Sequence, residues 1–570
     1  MDIEHLSAQC RAALQQQDLK GAHYWALSLI QQSPNKPIGY FYIAQIPMQA
    51  QQFHKAIPIL QKALSLCKPD EALVGSIVAR LMQCFGITGQ AKDALALFKQ
   101  SVFLPHSNNT AQLECLDLEK IAVTLTRFEW HALALPIFER SVKTPTFLNL
   151  TSEQQANLYC NVAASCAYQG TISDAIKYYR KALSCEPRLG KAHAALSRLN
   201  PTGEQKRVAQ LQTFLEPQLI SPLGEQDNDA LYCANALFHE LEKQQDYAQA
   251  GNVLHKANAM YQEVLESSNK AFSLQAHCKY IEVIRELARV ITESTSLIID
   301  NDASKPSELF IVGLPRSGST LLDSKLTQHQ QIVSLGERDD IERLISPILK
   351  SQKAIDKEYF DQPSPELVRR LQSILVNYQD LTSARLEGLE LCAHAQHSLT
   401  EENKRITYTI DKMHLNIWYT PLILALFPKA KIIAVKKNDR DLAWGNYKYL
   451  FNPQDSRFFY SYDLQNIQSY IDCYHQQVEW LKAHFPQRII EVEYEQFVAN
   501  TEAELTNVYA FLGLKNRINS AKKSTSTAIY SAPIYSTASA QQVREGISEK
   551  YVGQWQRYKW LFSDIKGFRQ

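Results

Sequence analysis

What the sequence lacks narrows it first. None of its eleven cysteines (Cys10, Cys67, Cys84, Cys115, Cys160, Cys166, Cys185, Cys233, Cys278, Cys392 and Cys473) forms a Cys-x-x-Cys pair, and no histidine cluster stands at metal-ligand spacing. That argues against a zinc module, and the odd count argues against a disulfide framework; buried thiols in a reducing compartment are expected. No apolar run approaches the ~20 residues that cross a bilayer. The first residues, Met1-Asp2-Ile3-Glu4-His5, have neither the basic nor the apolar part of a signal peptide, so a cytoplasmic protein without a membrane span is expected. An excess of one charge is missing too. Sixty Lys plus Arg against 59 Asp plus Glu give a net +1, which leaves no nucleic acid held by bulk charge.

What is there is a chain of 570 residues, 45% hydrophobic and 21% charged, too long for a single core. Its first half repeats itself. Ala175…Tyr179…Ala182…Pro187 places small residues around a ring and closes on proline. Ala22…Ala26…Pro34, Ala56…Leu60…Ala63…Pro69, Ala94…Phe98…Ser101…Pro105 and Ala134…Phe138…Ser141 follow nearly the same spacing, and Ala250…Leu254…Ala257 is a degenerate copy. Small residues let two helices cross closely, the ring or leucine fills the groove one turn on, and proline stops the second helix.

Anchors at 22, 56, 94, 134 and 175 step by 34 to 41 residues. This pattern resembles the tetratricopeptide repeat, which implies an α-solenoid over residues 1–290 with a groove for a peptide or partner protein. The other use of such an array is as a spacer or dimerisation arm. A helical stretch, roughly Lys256–Ile299, and the polar run Asp300–Ser307 close this half, and residues 291–308 read as the linker.

The second half, residues 309–570, opens on Leu309-Phe-Ile-Val312, suited to a buried parallel strand. Gly313-Leu-Pro315-Arg316-Ser317-Gly318-Ser319-Thr320 follows, and then a helix. Strand, glycine loop and helix make a phosphate cradle, in which backbone N–H groups and the helix N-terminus face the anion. Ser319 stands where an NTPase loop has its lysine, so a P-loop kinase is disfavoured.

Leu335-Gly-Glu337, Asp411-Lys412-Met413, the strand Lys431–Val435, and Ser536–Arg544 with Trp555…Tyr558 complete a pattern. With the loop and the repeats, it resembles the bacterial tetratricopeptide-repeat sulfotransferases, relatives of the protein-tyrosine sulfotransferases. The resemblance implies a P-loop-like α/β domain with a parallel sheet. It also implies transfer of a sulfuryl group from PAPS to an acceptor hydroxyl, on a peptide tyrosine, a saccharide or a small metabolite, without a metal. Carried over by position, Glu337 is the catalytic base, Lys412 stabilises the leaving group, Arg316 lies near the transferred group and Ser539 is a late active-site serine. Pro315, Arg316, Ser317, Gly318, Ser319 and Thr320 hold the 5′-phosphosulfate.

The departures lie at the 3′-phosphate site. Relatives have an arginine and a serine where this chain has Lys437 and Gly445, and Asp439 replaces a proline. Lysine keeps the charge without the bidentate fork. Lys436 or Arg440 are expected to add a cation, or Asn446 to replace the serine. The Ser/Thr-rich run Ser524–Ser539 reads as a flexible segment or a lid. A second function class, an interaction scaffold with a degenerate nucleotide domain, draws on the same departures.

Overall fold

A computed structural model describes residues 2–68, 73–100, 113–216, 228–293, 305–350, 360, 363–395, 406–515, 546–565 and 567–568. Most of residues 3–293 within that set are helical: α1 (Ile3–Gln15), α2 (Leu19–Gln32), α3 (Pro37–Gln49), α4 (Phe53–Leu66), α5 (Leu73–Thr88), α6 (Ala91–Gln100), α7 (Cys115–Arg127), α8 (His131–Ser141), α9 (Ser152–Gln169), α10 (Ile172–Cys185), α11 (Gly190–Leu199), α12 (Gln205–Leu215), α13 (Asp229–Lys243), α14 (Tyr247–Ser267) and α15 (Leu274–Glu293). The repeat anchors fall on α2, α4, α6, α8, α10 and α14, and their alanines at 22, 56, 94, 134, 175 and 250 are all fully buried.

The turn inside each of these helix pairs is the same. Five residues before each anchor, Gln17, Gln51, Gly89, Glu129, Gly170 and Gln245 take φ between 57° and 86°. The next residue then returns its N–H to a carbonyl five back, as in Asp18 to Ala13 (2.9 Å), Trp130 to Leu125 (2.9 Å) and Asp246 to Leu241 (3.0 Å). This left-handed stop ends the first helix and sets the entry to the second.

The described chain forms two compact units. The first is Met1–Ser165 with Asp380–Ser398; there Arg385 lies over the Phe128 ring at 5.6 Å. The second is Cys166–Gln379 with Leu399–Gln570 and contains the sheet. Among the described residues, no helix is long and apolar enough to cross a membrane.

Five parallel strands, β1 (Ser307–Gly313), β2 (Ile332–Ser334), β3 (Tyr408–Asp411), β4 (Lys431–Lys436) and β5 (Ile489–Glu493), stand in the order β2-β3-β1-β4-β5. β1 is central, buried from Glu308 to Gly313, with Gly313 opposite Val435. The remaining helices are α16 (Ser319–Leu326), α17 (Asp340–Leu349), α18 (Pro365–Ala395), α19 (Thr420–Leu426), α20 (Asp439–Lys448), α21 (Leu464–His484), α22 (Tyr494–Ala499) and α23 (Thr501–Leu512). Alternate strand residues divide them between the two faces. Leu309, Ile311, Ile433 and Val435 pack with α16, α22 and α23, whereas Phe310, Val312, Ile432 and Ala434 pack with α20 and α21. The helices that follow β1 and β4 therefore lie on opposite faces. Between the carboxyl ends of these strands opens the crevice that parallel sheets use for ligands.

Candidate active site

The loop after β1 is built from two left-handed residues. Arg316 has φ 70° and Gly318 has φ 105°. Alternating hand turns successive N–H groups toward one concavity, an anion nest at the start of α16. A Cβ on Gly318 would lie 2.3 Å from the Tyr494 ring, so only glycine fits beneath that tyrosine. Ser317 is fully buried, and its Oγ has no hydrogen-bond partner among the described residues. An unpaired hydroxyl at this depth is costly unless a ligand completes it.

Glu337 and Lys412 come together beside this loop. Lys412, 1% exposed, donates Nζ to Glu337 Oε1 at 2.7 Å and stands 3.5 Å from Thr320 Oγ1. Glu337 keeps 27% of its side chain open, so a substrate proton can reach it. Two opposed effects set its pKa. Burial does push upward, but Lys412, His414 and Arg457 outweigh it, and the carboxyl is held below its ordinary value.

His414 is nearly buried; its Nε2 lacks a partner among the described residues, and burial drives its pKa down to about 4. Behind the pair, Asp411 accepts from Tyr378 Oη (2.9 Å) and the Met413 N–H (3.0 Å), which fixes the turn that carries Lys412. Burial raises Asp411 to about 6.

The other end of the crevice is an open cleft lined by Arg316, Gly318, Lys437, Asp441, Gly445 and Lys448, with Tyr494, Tyr551 and Gln554 among its walls. Lys437 is almost buried, with Nζ 4.5 Å from the Tyr494 ring centre. Burial first, then Arg316 and Lys448, lower its pKa to about 8 against the pull of Asp441 and Glu495. Asp441 lines the same cleft, and its oxygens accept the N–H groups of Gly553 (2.5 Å) and Trp555 (3.2 Å).

Residues 306–517 match the model of the Sulfotransferase family. The carboxy-terminal domain is a sulfotransferase domain. Over 397 residues the chain is also 28% identical to an uncharacterized protein of Aquifex aeolicus; the match covers 68% of this chain and 47% of that relative's length. Two solved structures resemble it at low score. One is YrrB, a TPR protein with an unusual peptide-binding site (14% identity, 36% of this chain, 96% of that chain, TM-score 0.27). The other is the Cut9–Hcn1 hetero-tetramer of APC/C (10% identity, 90% of this chain, 95% of that chain, TM-score 0.28).

Several expectations about the 3′-phosphate side of the sulfotransferase domain need correction. Lys436 adds no free cation there: it is paired with Glu493 at 2.8 Å. Arg440 lies over the rings of Trp555 (5.0 Å) and Phe568 (5.9 Å). Asn446 is no substitute for the serine, because its amide donates to the Pro315 and Leu442 carbonyls at 2.8 and 2.9 Å. Asp439 does not confront an anion; it is buried against His475 at 2.8 Å. Gly445 has a steric reason, since a Cβ there would come within 2.9 Å of Arg316 Cβ. Ser539, Arg544 and the run 524–539 lie outside the described residues.

The sequence reading missed Lys448, Tyr449, Tyr494 and His414. A signal existed for one of them. Lys437, Asp441, Trp444, Gly445 and Lys448 recur at helical spacing, so one face of α20 lines the cleft of the sulfotransferase domain.

Proposed function

We propose that the sulfotransferase domain moves a sulfuryl group from PAPS to an acceptor hydroxyl, on a peptide tyrosine or a small hydroxyl compound. PAPS brings a sulfuryl group already activated on a phosphate, so the protein's work is positioning and charge stabilisation. The observation that carries this reading is the Glu337–Lys412 pair beside a phosphate loop whose lysine position is a serine.

In this reading the acceptor proton passes to the Glu337 carboxylate as the acceptor oxygen bonds to sulfur. The bond from sulfur to the bridging oxygen breaks, and Lys412 meets the negative charge left on that oxygen. Arg316 and the loop N–H groups face the sulfuryl and 5′-phosphate oxygens, and the Ser317 hydroxyl supplies one further donor. Ser319 and Thr320 begin α16, where the helix N-terminus adds its dipole. Lys437, with Gly445 leaving room for Arg316, takes the 3′-phosphate side, assisted by Lys448. Ser539 belongs to the same proposed set. The repeat helices bind the acceptor or a partner protein.

Titration of the full chain with adenosine 3′,5′-bisphosphate, by calorimetry or thermal shift, tests the reading. Saturable binding is expected. No binding at millimolar nucleotide would refute donor use and leave the interaction scaffold.

A further inference from the structure

Side chains from three helices of the repeat half converge on the last residues of α20 and the short segment after it. Asn235 of α13, 5% exposed, donates Nδ2 to the Lys448 carbonyl at 3.2 Å. Asn258 of α14, 4% exposed, donates to the Tyr447 carbonyl at 3.1 Å. From the same helix, the His255 ring nitrogen lies 2.8 Å from the Tyr447 hydroxyl, and Tyr261 donates to the Pro453 carbonyl at 2.5 Å. Arg198 of α11 donates Nη1 to the Tyr449 hydroxyl at 3.3 Å.

Buried asparagines are expensive unless fully partnered. Two of them are spent on the carbonyls of Tyr447 and Lys448, so the path of this segment is specified by those bonds. The segment presents the Tyr449 ring to the phosphate loop. The guanidinium carbon of Arg316 lies 5.3 Å from the ring centre, and that of Arg198 lies 5.6 Å from it. One aromatic face system thus attracts both cations and holds the flexible Arg316 side chain near one direction. On the backbone side, a Cβ on Gly445 would come within 2.9 Å of the Cβ of the left-handed Arg316, so glycine there leaves Arg316 its room.

We propose that Tyr449 is a positioning residue for Arg316, and that α11, α13 and α14 act on the reaction through it. The repeat half then does more than capture a partner: its last helices orient the loop arginine toward the transferred group. This rests on the reading that Arg316 faces the sulfuryl group. A positioned guanidinium lowers the barrier without reorganising when charge develops, whereas a wandering one has to be gathered at each turnover.

The test uses the full chain with Tyr449→Ala, Tyr449→Phe, Arg316→Ala and the Tyr449→Ala/Arg316→Ala double variant. Tyr449→Ala should lower kcat by about tenfold, equivalent to ~1.4 kcal/mol. Its effect on the affinity for adenosine 3′,5′-bisphosphate, which keeps the 5′-phosphate but has no sulfuryl group, should be smaller than its effect on kcat. Tyr449→Phe keeps the ring and should recover most of the rate. Once Arg316 is alanine, the Tyr449→Ala change should cost nothing further. Additive losses would overturn the proposal. A second readout needs no turnover: modification of Arg316 by phenylglyoxal, followed by mass spectrometry of its peptide, should speed up in Tyr449→Ala. An unchanged rate overturns the positioning claim. If the wild type moves no sulfuryl group from PAPS, the functional reading fails, and the phenylglyoxal result alone decides the role of Tyr449.

Discussion

Lys412 Nζ stands 2.7 Å from Glu337 Oε1, so the two groups proposed for opposite ends of the transfer are tied to each other. The lysine is buried while the carboxylate remains partly open. An acceptor hydroxyl approaching Glu337 therefore meets an ionised carboxylate whose countercharge already points into the site.

Glu337→Gln removes the proposed proton acceptor but keeps the shape of the side chain. Turnover should fall by a factor on the order of 10²–10⁴, the usual worth of a general base, with bisphosphate affinity nearly unchanged. In the wild type the acid limb of the rate profile should lie below the ordinary glutamate value, because Lys412, His414 and Arg457 outweigh burial. An acid limb near neutral pH would contradict Glu337 as the base.

If Lys437 holds the 3′-phosphate as proposed, nucleotide binding should be sensitive to alkali. Its pKa is lowered to about 8 by burial and by Arg316 and Lys448, so the ammonium loses its proton as pH rises through that value. Affinity for adenosine 3′,5′-bisphosphate should be greatest below about pH 8 and decline above it, a decline that Lys437→Arg should flatten. Lys437→Ala should weaken the bisphosphate more than adenosine 5′-phosphosulfate. Calorimetry across pH measures both, and equal losses for the two ligands would misplace the 3′-phosphate.

Gly445→Ser restores the residue that relatives carry and should nevertheless do harm. The new Cβ would meet Arg316 Cβ at 2.9 Å, closer than ordinary contacts permit. Overpacking of this kind costs roughly 1–3 kcal/mol. Bisphosphate titration should show weaker binding, not stronger.

In the repeats, Gln51→Gly should raise the melting temperature and Gln51→Val lower it. The position has φ 57° in the turn between α3 and α4, which glycine adopts freely and a β-branched residue resists. The expected gain is about 0.5–1 kcal/mol, read by thermal unfolding of the full chain. Glu129, at φ 65°, should respond in the same direction.

The alanine anchors were readable because close helix crossings admit few residue types, and recurrence multiplies a weak signal. The left-handed turns were not readable, since Gln, Gly and Glu all fill them and none carries a common label. The loop, Glu337 and Lys412 were legible for a different reason: their chemistry demands particular groups at particular places. The rescuers named for the 3′-phosphate side failed on geometry. Lys436 and Lys437 are neighbours on extended chain and so leave it on opposite sides, and the first goes to Glu493. Arg440 and Asn446 lie off the stripe of α20 that faces the cleft. Tyr449 and Tyr494 enter the site only because β5 and the repeat helices bring them there, and a linear pattern holds no trace of that.

The carboxylate of Asp441 holds the backbone of Gly553 and Trp555 across more than a hundred residues of chain. During synthesis, then, β1 and β4 can pair while the cleft still has no wall at residues 551–554. A chain cut short after β5 would have all the strands of its sheet but lack the wall of the cleft that Tyr551 and Gln554 supply. The cleft is complete only once residues 551–554 have been made, after every strand of the described sheet.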